Sequence, residues 1–210
     1  MNRRSILALA FAAATIVACS TTPVGERPAY SDNDLQEMDA IHKRDFHARG
    51  VATMDRLNLD AVQRACNRFK DHPPEDLVKS LEAAQLKTIK FPDGSLMGDW
   101  KNGQKIAQSG QGMTWSDKPG APNGGSCYNC HQLSPQELSY GTLGPSLLHF
   151  GRLRGNTAET QKYVYGKIYN SKAYSVCSQM PRMGHSGTLT EDQIKDLTAY
   201  LLDPASPVNQ

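Results

Sequence analysis

The chain has little net charge of either sign. It has 23 basic and 21 acidic residues, and removing residues 1–18, which hold Arg3 and Arg4 but no acid, would leave 21 of each. That balance gives no support to nucleic-acid binding, which leaves a basic footprint. Cysteine is scarce, with five in 210 residues. After Cys130 only Cys177 remains, and it stands alone, so the second ligand pair of a structural zinc site does not follow. No internal repeat is visible, and no Ser/His/Asp order or paired carboxylates suggest a hydrolytic site. With 39% apolar and 21% charged residues the composition is that of a soluble globular protein, with room for one modest domain and an extension.

What is present is more specific. Cys127-Tyr128-Asn129-Cys130-His131 is a C-x-x-C-H motif, the spacing at which c-type haem is attached. Two thiols add across the two vinyl groups of one porphyrin, and the adjacent imidazole is then placed under the iron. A thioredoxin-like redox pair shares C-x-x-C but follows a strand of a βαβ unit, and no such unit is evident. The remaining alternatives are a metal site, or a structural disulfide between Cys127 and Cys130 in an envelope protein without haem.

The amino terminus bears on the compartment. Arg3 and Arg4 precede an unbroken apolar and small run from Ile6 to Cys19. At ~1.5 Å per residue this run is short for a bilayer core of ~30 Å and reads as a signal-peptide core. Its end, Ile16-Val17-Ala18-Cys19, is similar to a lipobox, in which Cys19 is lipidated and becomes the first mature residue. Ser20 follows, and the absence of Asp there fits sorting to the outer membrane. An ordinary secretory peptide cut nearby is the alternative. The reading is thus a periplasmic protein, anchored to the outer membrane through Cys19.

The chain divides into a signal peptide (1–18), a tether with a helical extension (19–95) and a haem domain (96–210). Residues 20–30, with Thr, Pro and Gly and no periodicity, read as a flexible tether. Leu35, Met38, Ile41 and His42 predict an amphipathic helix from Ser31 to near Gly50. Leu59, Val62 and Cys66 mark a second helix. Pro73-Pro74 starts a third, with Leu77, Leu81 and Ala84. Phe91-Pro92-Asp93-Gly94 signals a turn that short strands could flank. In the haem domain Asp99 caps a helix through Ile106 and Ala107, and Gly/Pro-rich residues 110–126 form a long loop. Thr157 to Asn170 is helical. The last helix has a Thr190–Gln193 capping box, an Ile194/Leu197/Leu201 face and a stop at Pro204.

A haem iron needs a second axial ligand or an open position, and His149, Met180, Met183 and His185 are the downstream candidates. Met/His ligation raises the reduction potential and suits electron transfer. Met180-Pro181 lies in a non-helical stretch before the last helix, where class I cytochromes c present their thioether, and Met180 is the preferred ligand opposite His131. Gly144-Pro145-Ser146-Leu147 resembles the segment whose Pro carbonyl, here of Pro145, accepts the ligand histidine's Nδ1–H and raises its basicity. Leu143, Leu147, Leu148, Phe150 and Tyr165 are expected in the crevice walls. Between His131 and His185 stand Arg152, Arg154, Lys162, Lys167, Lys172 and Arg182 against Glu137 and Glu159. This is either a basic rim that steers acidic partners or a solvated surface balanced by haem propionates. Cys66 and Cys177 remain. In an oxidising compartment they pair with each other, stay as buried thiols or bridge to a partner chain.

Several blocks together resemble the SoxX family. They are Gly125-Ser126-Cys127-Tyr128-Asn129-Cys130-His131-Gln132-Leu133, Ser139-Tyr140-Gly141-Thr142-Leu143-Gly144-Pro145-Ser146-Leu147, Lys167-Ile168-Tyr169-Asn170, Cys177-Ser178-Gln179-Met180-Pro181-Arg182-Met183-Gly184 and the ending Tyr200 to Asn209. Ala65-Cys66 through Pro73-Pro74 and Leu96-Met97-Gly98-Asp99-Trp100 are similar to longer members, so the likeness covers residues 66–209. One departure is Met183, where members have an aromatic residue. The resemblance implies a mainly α, class I cytochrome c fold with an N-terminal helical extension and one covalent haem c. It implies a SoxA-type cytochrome subunit as partner, a SoxYZ-type carrier protein as the site of sulfur loading, and a small soluble cytochrome c as electron acceptor. The activity implied is that of L-cysteine S-thiosulfotransferase, with the sulfur-binding residue on the partner and no catalytic residue on this chain. A free-standing class I cytochrome c is the alternative.

Overall fold

The computed structural model describes residues 28–210 and is helical, with no strand among them. The helices are α1 (Asp32–Asp45), α2 (Ala61–Arg68), α3 (Glu75–Leu86), α4 (Trp100–Gln108), α5 (Phe150–Arg154), α6 (Ala158–Tyr169) and α7 (Glu191–Leu202). Most starts are fixed by a side chain that satisfies an otherwise orphaned amide. Ser31 with Asp34, Asp60 with Gln63 and Thr190 with Gln193 form reciprocal capping boxes. Asp99 accepts from the Lys101 amide and Thr157 from that of Thr160. Before α3 sits Pro74, which has no such side chain; Glu75 and Asp76 complement the dipole of its first turn instead.

The core of the haem domain forms where α4 crosses α7 and α6 packs beside them. α4 buries Gly103 and Ala107, α6 buries Val164, Tyr165 and Ile168, and α7 buries most of its length from Ile194 onward. The α4–α7 crossing is close because Gly103 has no side chain. A Cβ there would lie 2.1 Å from the Asp196 carbonyl oxygen and 2.7 Å from Tyr200 Cβ. The Gly98 amide donates to the Lys195 carbonyl at 3.1 Å and the Asp99 amide to Asp196 Oδ1 at 2.7 Å, fixing the crossing point. Gly103→Val is expected to force the helices apart and to cost about 3 kcal/mol, the upper part of the overpacking range, as measured by guanidinium unfolding.

The extension has a smaller core of its own. Val62 and Cys66 of α2 bury against Val176, with Val78 and Leu81 of α3 packed around them. This cluster therefore borrows a residue from the haem domain. α1 stays peripheral: it stops at Asp45 rather than near Gly50, buries nothing fully, and leaves Ile41 exposed. Its apolar stripe is too thin to outweigh solvation of the charged face. The turn at Phe91–Gly94 forms, but no strands flank it, and one isolated bridge between Arg49 and Ala52 is the only β pairing among the described residues. Residues 1–27, including Cys19 and most of the tether, lie outside the described residues. Tyr30 at the tether's end is docked, its amide donating to the Arg68 carbonyl at 2.8 Å. Among the described residues no helix is long and apolar enough to cross a membrane.

Candidate haem site

The C-x-x-C-H segment sits on one tight turn. Residues Cys127–Asn129 form a 3-10 turn, and the Cys127 carbonyl accepts from the amides of both Cys130 and His131, at 3.1 and 2.9 Å. The turn follows Ser126, whose left-handed backbone (φ 47°) reverses the chain out of the long loop. Its side chain accepts from Asn129 Nδ2 at 2.7 Å. The following loop then wraps back over the motif. Gly141 donates to the Tyr128 carbonyl at 2.8 Å, Gly144 to that of Cys130 at 2.9 Å, and Leu147 to that of Gln132 at 2.8 Å.

That wrapping brings Pro145 to His131. The imidazole Nδ1 lies 2.7 Å from the Pro145 carbonyl oxygen. A carbonyl only accepts, so the proton belongs on Nδ1 and the Nε2 lone pair is left free for a metal. Gly144 provides the room. A Cβ there would stand 2.2 Å from His131 Cε1 and 2.5 Å from Nδ1. Gly144→Ala is therefore expected to rotate the ring off the Pro145 carbonyl, with less haem retained per chain and an altered ferric spectrum.

Cys127, His131 and Met180 open onto one cleft that exposes no polar surface. α4 contributes Ala107 to its wall, α6 Ile168, and α7 Leu197 and Leu201, while Leu133 and Leu147 close it beside the motif. Under the cleft the Tyr128 and Tyr200 hydroxyls meet at 2.8 Å, and the buried Tyr200 phenol is held protonated by burial first and by this bond second. Cys127 and Cys130 are not joined in a disulfide. Burial pushes the Cys127 thiol up to about 12. The donor set fits an iron porphyrin: two thiols at thioether spacing, an imidazole with its proton parked on the far nitrogen, and a thioether on the same apolar cleft.

The other candidates are placed elsewhere. Met183 packs into the main core, and its amide donates to the Ile168 carbonyl. His185 Nδ1 lies 3.3 Å from Thr88 Oγ1. His149 caps α5 with a left-handed backbone (φ 59°); its Nδ1 is buried without a hydrogen-bond partner, and it does not line the cleft. Cys66 and Cys177 are joined in a disulfide with Cα atoms 5.5 Å apart.

Two expectations need correction. Of the five wall residues named from the sequence, only Leu147 lines the cleft. Leu143 is 89% exposed, because the loop turns its side chain outward, while Tyr165 is fully buried behind the cleft, its hydroxyl donating to the Lys90 carbonyl. Of the two readings of the basic residues, a single continuous rim does not form. Lys172 is buried and donates to the Val176 and Ser178 carbonyls, Lys167 donates to the Ser171 carbonyl, and Arg182 pairs with Asp60 at 2.6 Å. Desolvation lowers both lysines from the ordinary range. Arg152, Arg154 and Lys162 stay exposed.

A helical domain built around a crossed α4–α7 pair, with C-x-x-C-H on a turn against them, defines a class I c-type cytochrome. The sequence matches the Cytochrome c family over residues 100–203; the chain belongs to that family and carries covalently bound haem c. It is also similar to an uncharacterized lipoprotein of Aquifex aeolicus (strain VF5), 36% identical over 154 residues, 72% of this chain and 73% of the relative.

Proposed function

We propose that this chain is the electron-transfer haem subunit of a periplasmic thiosulfate-oxidising cytochrome complex. In that complex a carrier-protein cysteine is joined to thiosulfate. The carrier S–H bond breaks, an S–S bond forms to the outer sulfur of thiosulfate, and one proton and two electrons leave. Cys127 and Cys130 would hold the haem covalently, His131 and Met180 would bind its iron, and Pro145 orients His131. The haem supplies one-electron redox chemistry. The remaining residues exclude water from the cleft and hold both ligands, so the site takes and gives electrons without binding sulfur. The bond-forming site belongs to a SoxA-type partner, the cysteine to a SoxYZ-type carrier, and the outgoing electrons pass to a small soluble cytochrome c.

The observation that carries this reading is the apolar cleft itself. Met180 and His131 line one mainly apolar cleft, which suits an electron-transfer centre rather than a substrate site. The likeness to the SoxX family supplies the sulfur chemistry. Leu138 and Leu143, 94% and 89% exposed on the loop wrapped around the motif, support a subunit over a free carrier, since stable interfaces are more apolar than ordinary surface. Attachment to the outer membrane through a lipid on Cys19 is consistent with the lipoprotein name of the Aquifex relative.

Anaerobic addition of thiosulfate tests the reading. The haem of this chain is expected to reduce only when the SoxA-type subunit and the carrier are both present. Reduction by thiosulfate without either would contradict the division of labour.

A further inference from the structure

The segment that carries Met180 has no regular helix of its own from Ser175 to Thr190, so its position must come from contacts with other parts of the chain. The haem domain supplies some of them, the Met183, Gly184 and His185 amides donating to the Ile168 and Tyr169 carbonyls and Lys172 Nζ to those of Val176 and Ser178; the others come from the extension and bracket Met180 on both sides. Before it, Cys177 is bonded to Cys66 of α2, and the Val176 amide donates to Glu82 Oε1 of α3 at 3.0 Å. After it, Arg182 Nη1 donates to Asp60 Oδ2 at 2.6 Å and to Gln85 Oε1 at 3.2 Å. Asp60 is thus used twice, since its Oδ1 caps α2 by accepting from the Gln63 amide. At the base of the segment Asn170 Nδ2 donates to Gln85 Oε1 at 2.9 Å and to Thr88 Oγ1 at 2.8 Å. From the turn just before the segment, the Ser171 hydroxyl donates to the Met180 carbonyl at 2.5 Å, and within the segment the Met180 amide donates to Ser178 Oγ at 3.2 Å.

None of the extension's grips touches Met180; all fix residues on either side of it. From this we infer that the α2–α3 extension is a positioning clamp for the Met180 segment, with Cys66, Glu82 and Asp60 as its main grips. Its role is to keep the thioether at the iron against competing small ligands, an inference that rests on Met180 being an axial ligand. The clamp's effect lies in how often the thioether lets go. A small ligand that binds only the thioether-off form has an apparent affinity proportional to the fraction in that form. Loosening the clamp therefore raises that affinity even while the iron stays mostly Met-bound.

Imidazole titration of the ferric, haem-loaded protein, followed through loss of the Met–iron charge-transfer band, tests this. Cys66→Ser/Cys177→Ser and Glu82→Ala are each expected to bind imidazole roughly tenfold more tightly than the native chain, in proportion to a larger open fraction. Glu82→Gln keeps an acceptor for the Val176 amide and is expected to restore native affinity. Thr157→Ala removes the α6 cap, outside the segment, and is expected to lower the melting temperature without changing imidazole affinity. If the double serine variant fails to fold, Glu82→Ala with its Gln rescue carries the comparison. Native imidazole affinity in Glu82→Ala, beside a raised affinity in Met180→Ala, overturns the clamp and leaves the ligand in place. Equal affinity in the native chain and Met180→Ala overturns the ligand assignment and the clamp with it.

Discussion

A chain in which both Cys127 and Cys130 are alanine is expected to retain no haem after denaturation and to lose cooperative folding. The cleft explains why the loss extends past the cofactor. Its walls are side chains from α4, α6 and α7 together with Leu133 and Leu147, all turned onto a space that exposes no polar surface. Filling that space with a porphyrin buries apolar area from every core helix, at about 25 cal/mol per Å². Without thioether bonds, His131 alone would have to recruit the porphyrin from an unfolded chain, and ligand binding to the native state is what stabilises it. Haem staining of a denaturing gel reads the first part and the loss of a sharp thermal transition reads the second. Restoring either cysteine alone is expected to restore part of both.

Met180→Ala is expected to act on the iron and not on the fold. The haem stays attached through Cys127 and Cys130, and His131 stays held by Pro145, so helical content changes little. The Met–iron charge-transfer band disappears and the ferrous form gains the ability to bind carbon monoxide. The midpoint potential falls on the order of 0.1–0.3 V, part of the ~0.8 V over which axial ligands tune haem. Potentiometry checks the fall. A potential unchanged in Met180→Ala, with the change found instead in Met183→Ala, would move the ligand three residues along the chain.

Much of this arrangement is legible in the sequence because it depends on local chemistry. C-x-x-C-H is contiguous, and the caps at Asp99, Thr157 and Thr190 act on amides two or three residues away. The cleft walls are a different matter. Ala107, Ile168 and Leu201 look like ordinary core positions, and what assigns them to the cleft is how closely α4 and α7 cross at Gly103. Leu143 belongs to the same loop as Gly144 and Pro145, yet it faces outward, because three backbone bonds rather than hydrophobicity set that loop's course. The charges misled for a similar reason. Lys172 and Arg182 read as surface residues, but each satisfies partners distant in sequence or in an irregular segment that no periodicity reveals. The Cys66–Cys177 bond spans 111 residues, a separation over which spacing carries no information about approach.

The central claim is that this cytochrome works as a subunit of a thiosulfate-oxidising pair. Gentle affinity purification of the tagged chain from its own thiosulfate-grown host, with haem staining of the co-purifying bands, tests it most directly. The account predicts a second haem protein in fixed ratio, and reduction of this chain's haem when thiosulfate and the carrier protein are added to that pair. A single haem band, alone and fully redox-active, would contradict it and leave a free-standing electron carrier.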